Sequence, residues 1–312
     1  MATQTQSERH AAAEPWIGEE GERLASVLAG VPGLSMHDVY RGTLAVGDRQ
    51  AELRIEPHQW IDVRLTVDSA PSADDALRIN QWLPGNVRYA RALGSTALVA
   101  DTQIDGVAHL ALSIEEIRLG FSDALGSDCP SRVAGREAKS RSLPADEGLQ
   151  ELQAALARLP FGEDGLVRRE SADGRGEWEL RPRIQGEPVP VLLDRLCGGA
   201  RLHRTLLAKV PPEHRRVIAD QALRWNARYR FCRLSWCDEE LVVETMLHEA
   251  LVATKWLASA GLALAVVGRE VRDVVETLAE DSRAASLYWN VLCDPRPGEV
   301  PGEANLLPEK GD

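Results

Sequence analysis

Three stretches hold residues whose types and spacing could do chemistry. HisGluAlaLeuVal at 248–252 is half of a zinc-protease helix. That motif needs a second imidazole four residues after the first, on the same helix face, and the residue there is Val252. Cys232 and Cys237 are five residues apart in or beside an expected strand. An odd spacing sends strand side chains to opposite faces, so the two thiols make no ligand pair and read as small core-filling groups. Cys197 stands before Gly198 and Gly199 and could be an exposed nucleophile, but no motif places a base beside it. His10, His37, His58, His109, His203, His214 and His248 show no ligand spacing. There is no GxxxxGK[ST] phosphate loop and no GxSxG elbow. The expectation is therefore a protein with no catalytic residue, no metal ligand set and no cofactor.

Composition narrows the partners. The 312 residues carry a formal charge of −12, which repels phosphate backbones and argues against nucleic acid. Lys139, Lys209, Lys255 and Lys310 are the only lysines, so ion pairing should be mostly Arg to Asp or Glu. The five cysteines follow no framework spacing, and the first 15 residues lack a signal-peptide core. Both features point to free thiols in the cytoplasm. Residues 250–268 are apolar but rich in small residues and interrupted by Lys255, which reads as a buried helix rather than a membrane span.

Tryptophan is the unusual residue, with eight copies against three Phe. Trp covers area at low entropic cost, so Trp60 and Trp236, near strand ends, are candidates for a partner surface. Arg88 and Tyr89 recur as Arg228 and Tyr229 within two AsnXxxArgTyr strings, and these four complete the candidate set.

The elements that must position these residues fall in a repeating order. Residues 1–14 read as disordered, and a helix fits 17–29. Alternating apolar residues predict strands through Leu44, Leu53 and Val63, each with one wet face. Ser72 caps a helix with Asp74 and Asp75 in its first turn, and strands at 87–93 and 97–104 follow. Ser113 and Glu116 suggest a capping box opening a helix striped by Ile114, Ile117, Phe121 and Leu125. Residues 126–146 read as a linker. The second half offers a helix at 149–159, strands at 166–169, 177–183 and 189–193, and an extra short helix at 200–209. A helix from Pro212, two strands and a long helical region at 250–291 then close it, with Leu264, Val267, Val271, Val274 and Leu278 on one stripe. The tail from residue 294 reads as disordered.

Three blocks recur in order. GluLeuArg at 52–54 matches 179–181, AlaAspAspAlaLeuArgIleAsn at 73–80 matches 219–226 at six of eight positions, and LeuValAlaAspThr at 98–102 matches 241–245. Recurrence in order predicts an internal duplication. The fold class expected is α+β: two tandem α-β-β-β-α-β-β-α modules at 15–125 and 147–293, with antiparallel sheets flanked by helices, arranged as an internal pseudo-dimer. The helix ending in Asn226, the strand expected at residues 228–231, the AspGluGlu turn and the LeuValValGlu strand resemble the class I type III secretion chaperone fold and its relative, the YbjN-domain family. That resemblance implies a non-enzymatic protein that binds a polypeptide. The tandem departs from the single-module homodimer and implies a monomer whose halves pair internally. Two other readings stay open: an enzyme with a site between the modules, and a membrane-associated regulator using residues 250–268.

Overall fold

A computed structural model describes residues 26–38, 40–56, 60–92, 95–103, 107–126, 165–170, 176–196, 199–248 and 255–289. The expected disordered ends, the linker at 127–146 and the helix at 149–159 lie outside these residues, as does most of the helix at 17–29, of which 26–29 are helical.

The chain is α+β, with antiparallel sheets flanked by helices. In the first half β1 (Leu34–Met36), β2 (Arg41–Val46), β3 (Arg49–Glu56) and β4 (Trp60–Thr66) run as neighbours. Helix α1 (Ala73–Asn80) follows, then the hairpin β5 (Arg88–Ala92) and β6 (Ser95–Gln103), then α2 (Val107–Leu125). Strand order is β1-β2-β3-β4-β6-β5. The second half begins with β7 (Leu166–Glu170) and β8 (Gly176–Leu180), then a separate short hairpin, β9 (Arg183–Ile184) and β10 (Glu187–Pro188). Strands β11 (Val191–Leu196) and β12 (Gly199–Leu207), helix α3 (Pro212–Arg228) and the hairpin β13 (Arg233–Cys237) and β14 (Glu240–His248) come next. Helices α4 (Lys255–Glu280) and α5 (Ser282–Tyr288) close it. This sheet runs β7-β8-β11-β12-β14-β13. In both sheets four strands meander, a helix crosses, and the later strand of a hairpin docks beside the fourth.

Period-two patterning explains the first sheet. Leu44, Leu53, Ile61, Val63 and Leu65 are buried, while Arg54, Arg64 and Thr66 on the other face are exposed. Ser72 caps α1 by accepting from the Asp75 amide at 3.2 Å, as its sequence predicts. Ile114, Ile117 and Phe121 are buried along α2.

Several expectations change. Each sheet has four strands before its crossover helix, not three, because the short β1 and the strand β12 were not anticipated. Residues 200–209 form no helix: Leu202 and Leu206 point inward along β12 while Arg201, His203 and Thr205 lie on the other face. Tyr229 to Phe231 are not a strand, since α3 runs on to Arg228 and Phe231 takes a left-handed φ of 61°. Ser113 lies within α2 rather than opening it. GluLeuArg at 52–54 is on the third strand of its sheet, whereas Glu179 and Leu180 are on the second strand of theirs, so those strings are not equivalent. Val274 is exposed and Val275 takes its place in the buried stripe. Asp281 ends the long helix by capping α5 through the Arg283 and Ala284 amides. Among the described residues no helix is long and apolar enough to cross a membrane, and Trp256, Leu257 and Leu264 of the apolar segment are buried.

Candidate functional site

The chemistry-bearing side chains converge where the two halves meet. Asn80 ends α1 and Asn226 lies near the end of α3, and both are fully buried. Asn80 Oδ1 accepts from the Tyr89 amide at 2.6 Å, and Asn226 Oδ1 accepts from the Leu234 amide at 2.7 Å. Each Nδ2 then donates to both the Tyr89 and the Leu234 carbonyls, at 3.1–3.3 Å. The hairpin and helix of each half are thus tied to those of the other through two amides.

A buried ion pair flanks each amide. Arg88 approaches Asp101 at 2.6 Å, at an angle poor for a hydrogen bond, and spends its directed N–H groups elsewhere. Nε donates to the Asn226 carbonyl at 2.8 Å and Nη2 to that of Tyr229 at 2.7 Å, capping the C-terminal end of α3 from the other half. Arg233, with no exposure, pairs with Glu244 at 3.1 Å. It donates to the carbonyls of Gln81, Leu83, Gly85 and Val87, just beyond α1. The planar five-donor fork of Arg suits this work, which the point charge of Lys cannot do. Burial alone would raise the Glu244 carboxyl, but Arg201 and Arg233 outweigh it and hold its pKa below the usual range. Further bridges cross the seam: Arg230 to Asp62 at 2.7 Å, Arg91 to Asp220, Arg215 to Asp74, and the Thr245 hydroxyl to Asn86 Oδ1.

A small recess opens beside this network. Gly85, Asn86, Asp101, Ser113 and Glu116 line it from the first half, and Phe231, Met246 and Trp256 from the second. Burial without a cationic partner among the described residues pushes the Glu116 carboxyl up to about 7. Cys232 is buried and its thiol is pushed up to about 12 by burial, so it is a poor nucleophile. Burial likewise raises the Cys237 thiol. Among the described residues no cluster of three or more His, Cys, Asp or Glu could hold a metal.

The six sequence candidates divide. Arg88, Tyr89 and Trp236 are buried, with exposures of 3%, 2% and 1%, which removes them from the accessible surface. Trp236 sits under the Arg215 guanidinium, 4.6 Å from its ring centre. Trp60 is half-buried, edge-on to Phe231 and beneath Arg230. Arg228 is exposed, lies over the half-buried Tyr229, and pairs with Glu270. The match of Arg88 with Arg228 does not hold, since Arg233 is the arginine that, like Arg88, opens its hairpin and donates to backbone carbonyls of the opposite half. Sequence reasoning missed Arg233, Glu244 and Asp101. The signal was present in the matched LeuValXxx-acid-Thr strings, whose acids at 101 and 244 each hold a buried Arg.

No family model matches the chain, and no curated protein matches it. Among solved structures the chain is similar to the di-domain ARO/CYC StfQ from the steffimycin biosynthetic pathway, at 14% identity over 86% of this chain and 90% of that one, with a TM-score of 0.15. It is also similar to the di-domain ARO/CYC BexL from the BE-7585A biosynthetic pathway, at 16% identity over 86% and 93%, with the same TM-score of 0.15, a level that carries no argument about fold or function.

Proposed function

We propose that the chain is two tandem copies of one module, arranged as an internal pseudo-dimer, and that it binds a polypeptide in a chaperone-like or adaptor-like role without catalysing a reaction. The shared strand order, the crossed amides of Asn80 and Asn226, and the Arg–acid pair in each half support the duplication. The resemblance to class I type III secretion chaperones and YbjN domains belongs to this proposal.

The observation that carries the binding reading is where the exposed apolar side chains lie. Among the described residues seven large hydrophobics are exposed, and five of them are on α2 and α4: Leu112 and Leu119 on α2, and Leu262, Val266 and Val274 on α4. Exposed apolar residues gathered on corresponding helices favour a docking role over chance scatter. Arg228, Tyr229 and Trp60 add accessible groups beside the seam.

A photo-crosslinking residue placed at 119 or 266 in cells tests this. The expected product is one defined polypeptide at both positions, and none at Arg64 on the exposed face of the first sheet. With the crosslinker at 119, L262D/V266D should abolish it while changing stability by under about 0.5 kcal/mol, because exposed positions carry little folding energy. No crosslinked polypeptide at either helix would overturn the reading.

A further inference from the structure

Strand β12 breaks its own pattern. Leu202 and Leu206 are buried on the face that packs against α4, and Arg204 stands between them on that face. The first sheet has an apolar residue at the same register. Val63 lies two residues beyond Ile61, the partner of Thr102, as Arg204 lies two beyond Leu202, the partner of Thr245. Val63 is 1% exposed. Arg204 is half-buried there, and a cation partly withdrawn from water costs free energy unless something answers it.

No acid among the described residues answers Arg204. Its Nη1 is buried without a hydrogen-bond partner. The helix above makes room for it: a Cβ at Gly268 would stand 3.2 Å from Arg204 Cδ. Arg272 is one turn further along the same face and close enough that its charge, after burial, lowers the Arg204 pKa. Glu276 is the acid beside Arg272, and Arg272 Nε already holds it at 2.6 Å. Leu262 and Val266 precede Gly268 by six and two residues, so they lie on another side of α4, facing solvent.

We propose that Arg204, emerging under Gly268 beside Arg272, forms a notch that receives a carboxylate of the bound polypeptide. This rests on the polypeptide-binding reading and names the partner's chemistry: an acidic segment. A basic segment would face two guanidinium groups. A neutral one would leave Arg204 unanswered, and a charge-assisted bidentate bond is what the guanidinium fork is shaped to make.

The test uses the full chain and three fluorescent amphipathic peptides identical except for Glu, Gln or Lys on the polar face, read by anisotropy. The Glu peptide should bind about ten-fold tighter than the Gln peptide, roughly one charge-assisted hydrogen bond. R204M should erase that preference, leave Gln-peptide binding unchanged and keep or raise the melting temperature. R204K should restore part of it. If R204M fails to fold, G268A, which crowds the Arg204 chain, should weaken the Glu peptide alone. Equal binding of Glu and Gln peptides, or a preference that survives R204M, overturns the notch. If L262D/V266D still abolishes both peptides in that case, polypeptide binding stands without it. Inorganic phosphate saturating in an Arg204-dependent way, while the Glu peptide does not, would make this a free-anion site and overturn the proposal. Failure of every peptide to bind removes the notch together with the reading it rests on.

Discussion

Asn80 and Asn226 hold the same two carbonyl groups. Each donates through Nδ2 to the oxygens of Tyr89 and Leu234, and each accepts from one of those residues' amides. A carbonyl oxygen has two lone pairs, so both amides fit at once.

Removing one Asn leaves each carbonyl with a donor but strands one buried amide N–H, at about 2–3 kcal/mol. Removing both leaves the two carbonyls short of both Asn donors as well. N80A/N226A should therefore cost more than the sum of the single changes, by at least about 0.5 kcal/mol in urea unfolding. An additive or less-than-additive double mutant would show that the two amides do not share their acceptors.

Arg88 and Arg233 make a second prediction. R233M leaves Glu244 buried with Arg201 as its remaining cation and frees four carbonyls beyond α1. Breaking a buried pair of this kind costs about 3–5 kcal/mol. R233K should recover little, because an ammonium cannot reach a spread of carbonyls and Glu244 together. The double change R233M/E244Q should be milder than R233M alone, measured by thermal unfolding at pH 7.

How far the sequence reveals this architecture depends on whether a residue's neighbours in the chain are also its neighbours in space. Ser72 was legible because its cap partner Asp75 is three residues away. The matched strings around Asn80 and Asn226 were visible, but not what the amides do, since Asn80 reaches Leu234, 154 residues on. Arg204 hid β12: a charged residue at an inward position spoiled the alternation, and Leu202 with Leu206 at a spacing of four then imitated a helix face. Arg228 matches Arg88 in the sequence because both follow Asn by two residues, yet α3 extends through Arg228 and delays its hairpin to Arg233.

Glu116 sets the pH response of the seam. Burial in the recess disfavours the charge and pushes its carboxyl up to about 7, from an ordinary value of 4.5. Asp101 is the other acid lining that recess, and Arg88 stands against it. Between pH 4.5 and 7 the folded chain keeps a proton that the unfolded chain has lost. This contribution to stability is thus full below 4.5, falls as pH rises, and is flat above 7. The loss should be about 2–3 kcal/mol after allowance for partial exposure. E116Q should flatten that segment of the curve in chemical denaturation between pH 4.5 and 8, and an unchanged slope would place the titrating group elsewhere.

Mutual dependence of the halves gives the last prediction. The loop leaving α1 takes donors from Arg233, and the end of α3 takes donors from Arg88, so each helix exit is held by the other half. The amide of Phe231 likewise donates to Asp101 across the seam. A specific protease site inserted between residues 127 and 146 would remove the covalent tie and leave these bonds in place. The cut halves should co-elute as one particle of unchanged mass in light scattering, and should separate only with unfolding in urea. Each half expressed alone would lose the acceptors that Arg88 or Arg233 reaches across the seam and expose the surface the seam covers, which leaves a small domain marginal. Neither should then give a cooperative melt, whereas mixing the two should restore one. Two halves that each melt cooperatively by themselves, and do not bind each other, would mean that the crossed arginines add contact without adding dependence.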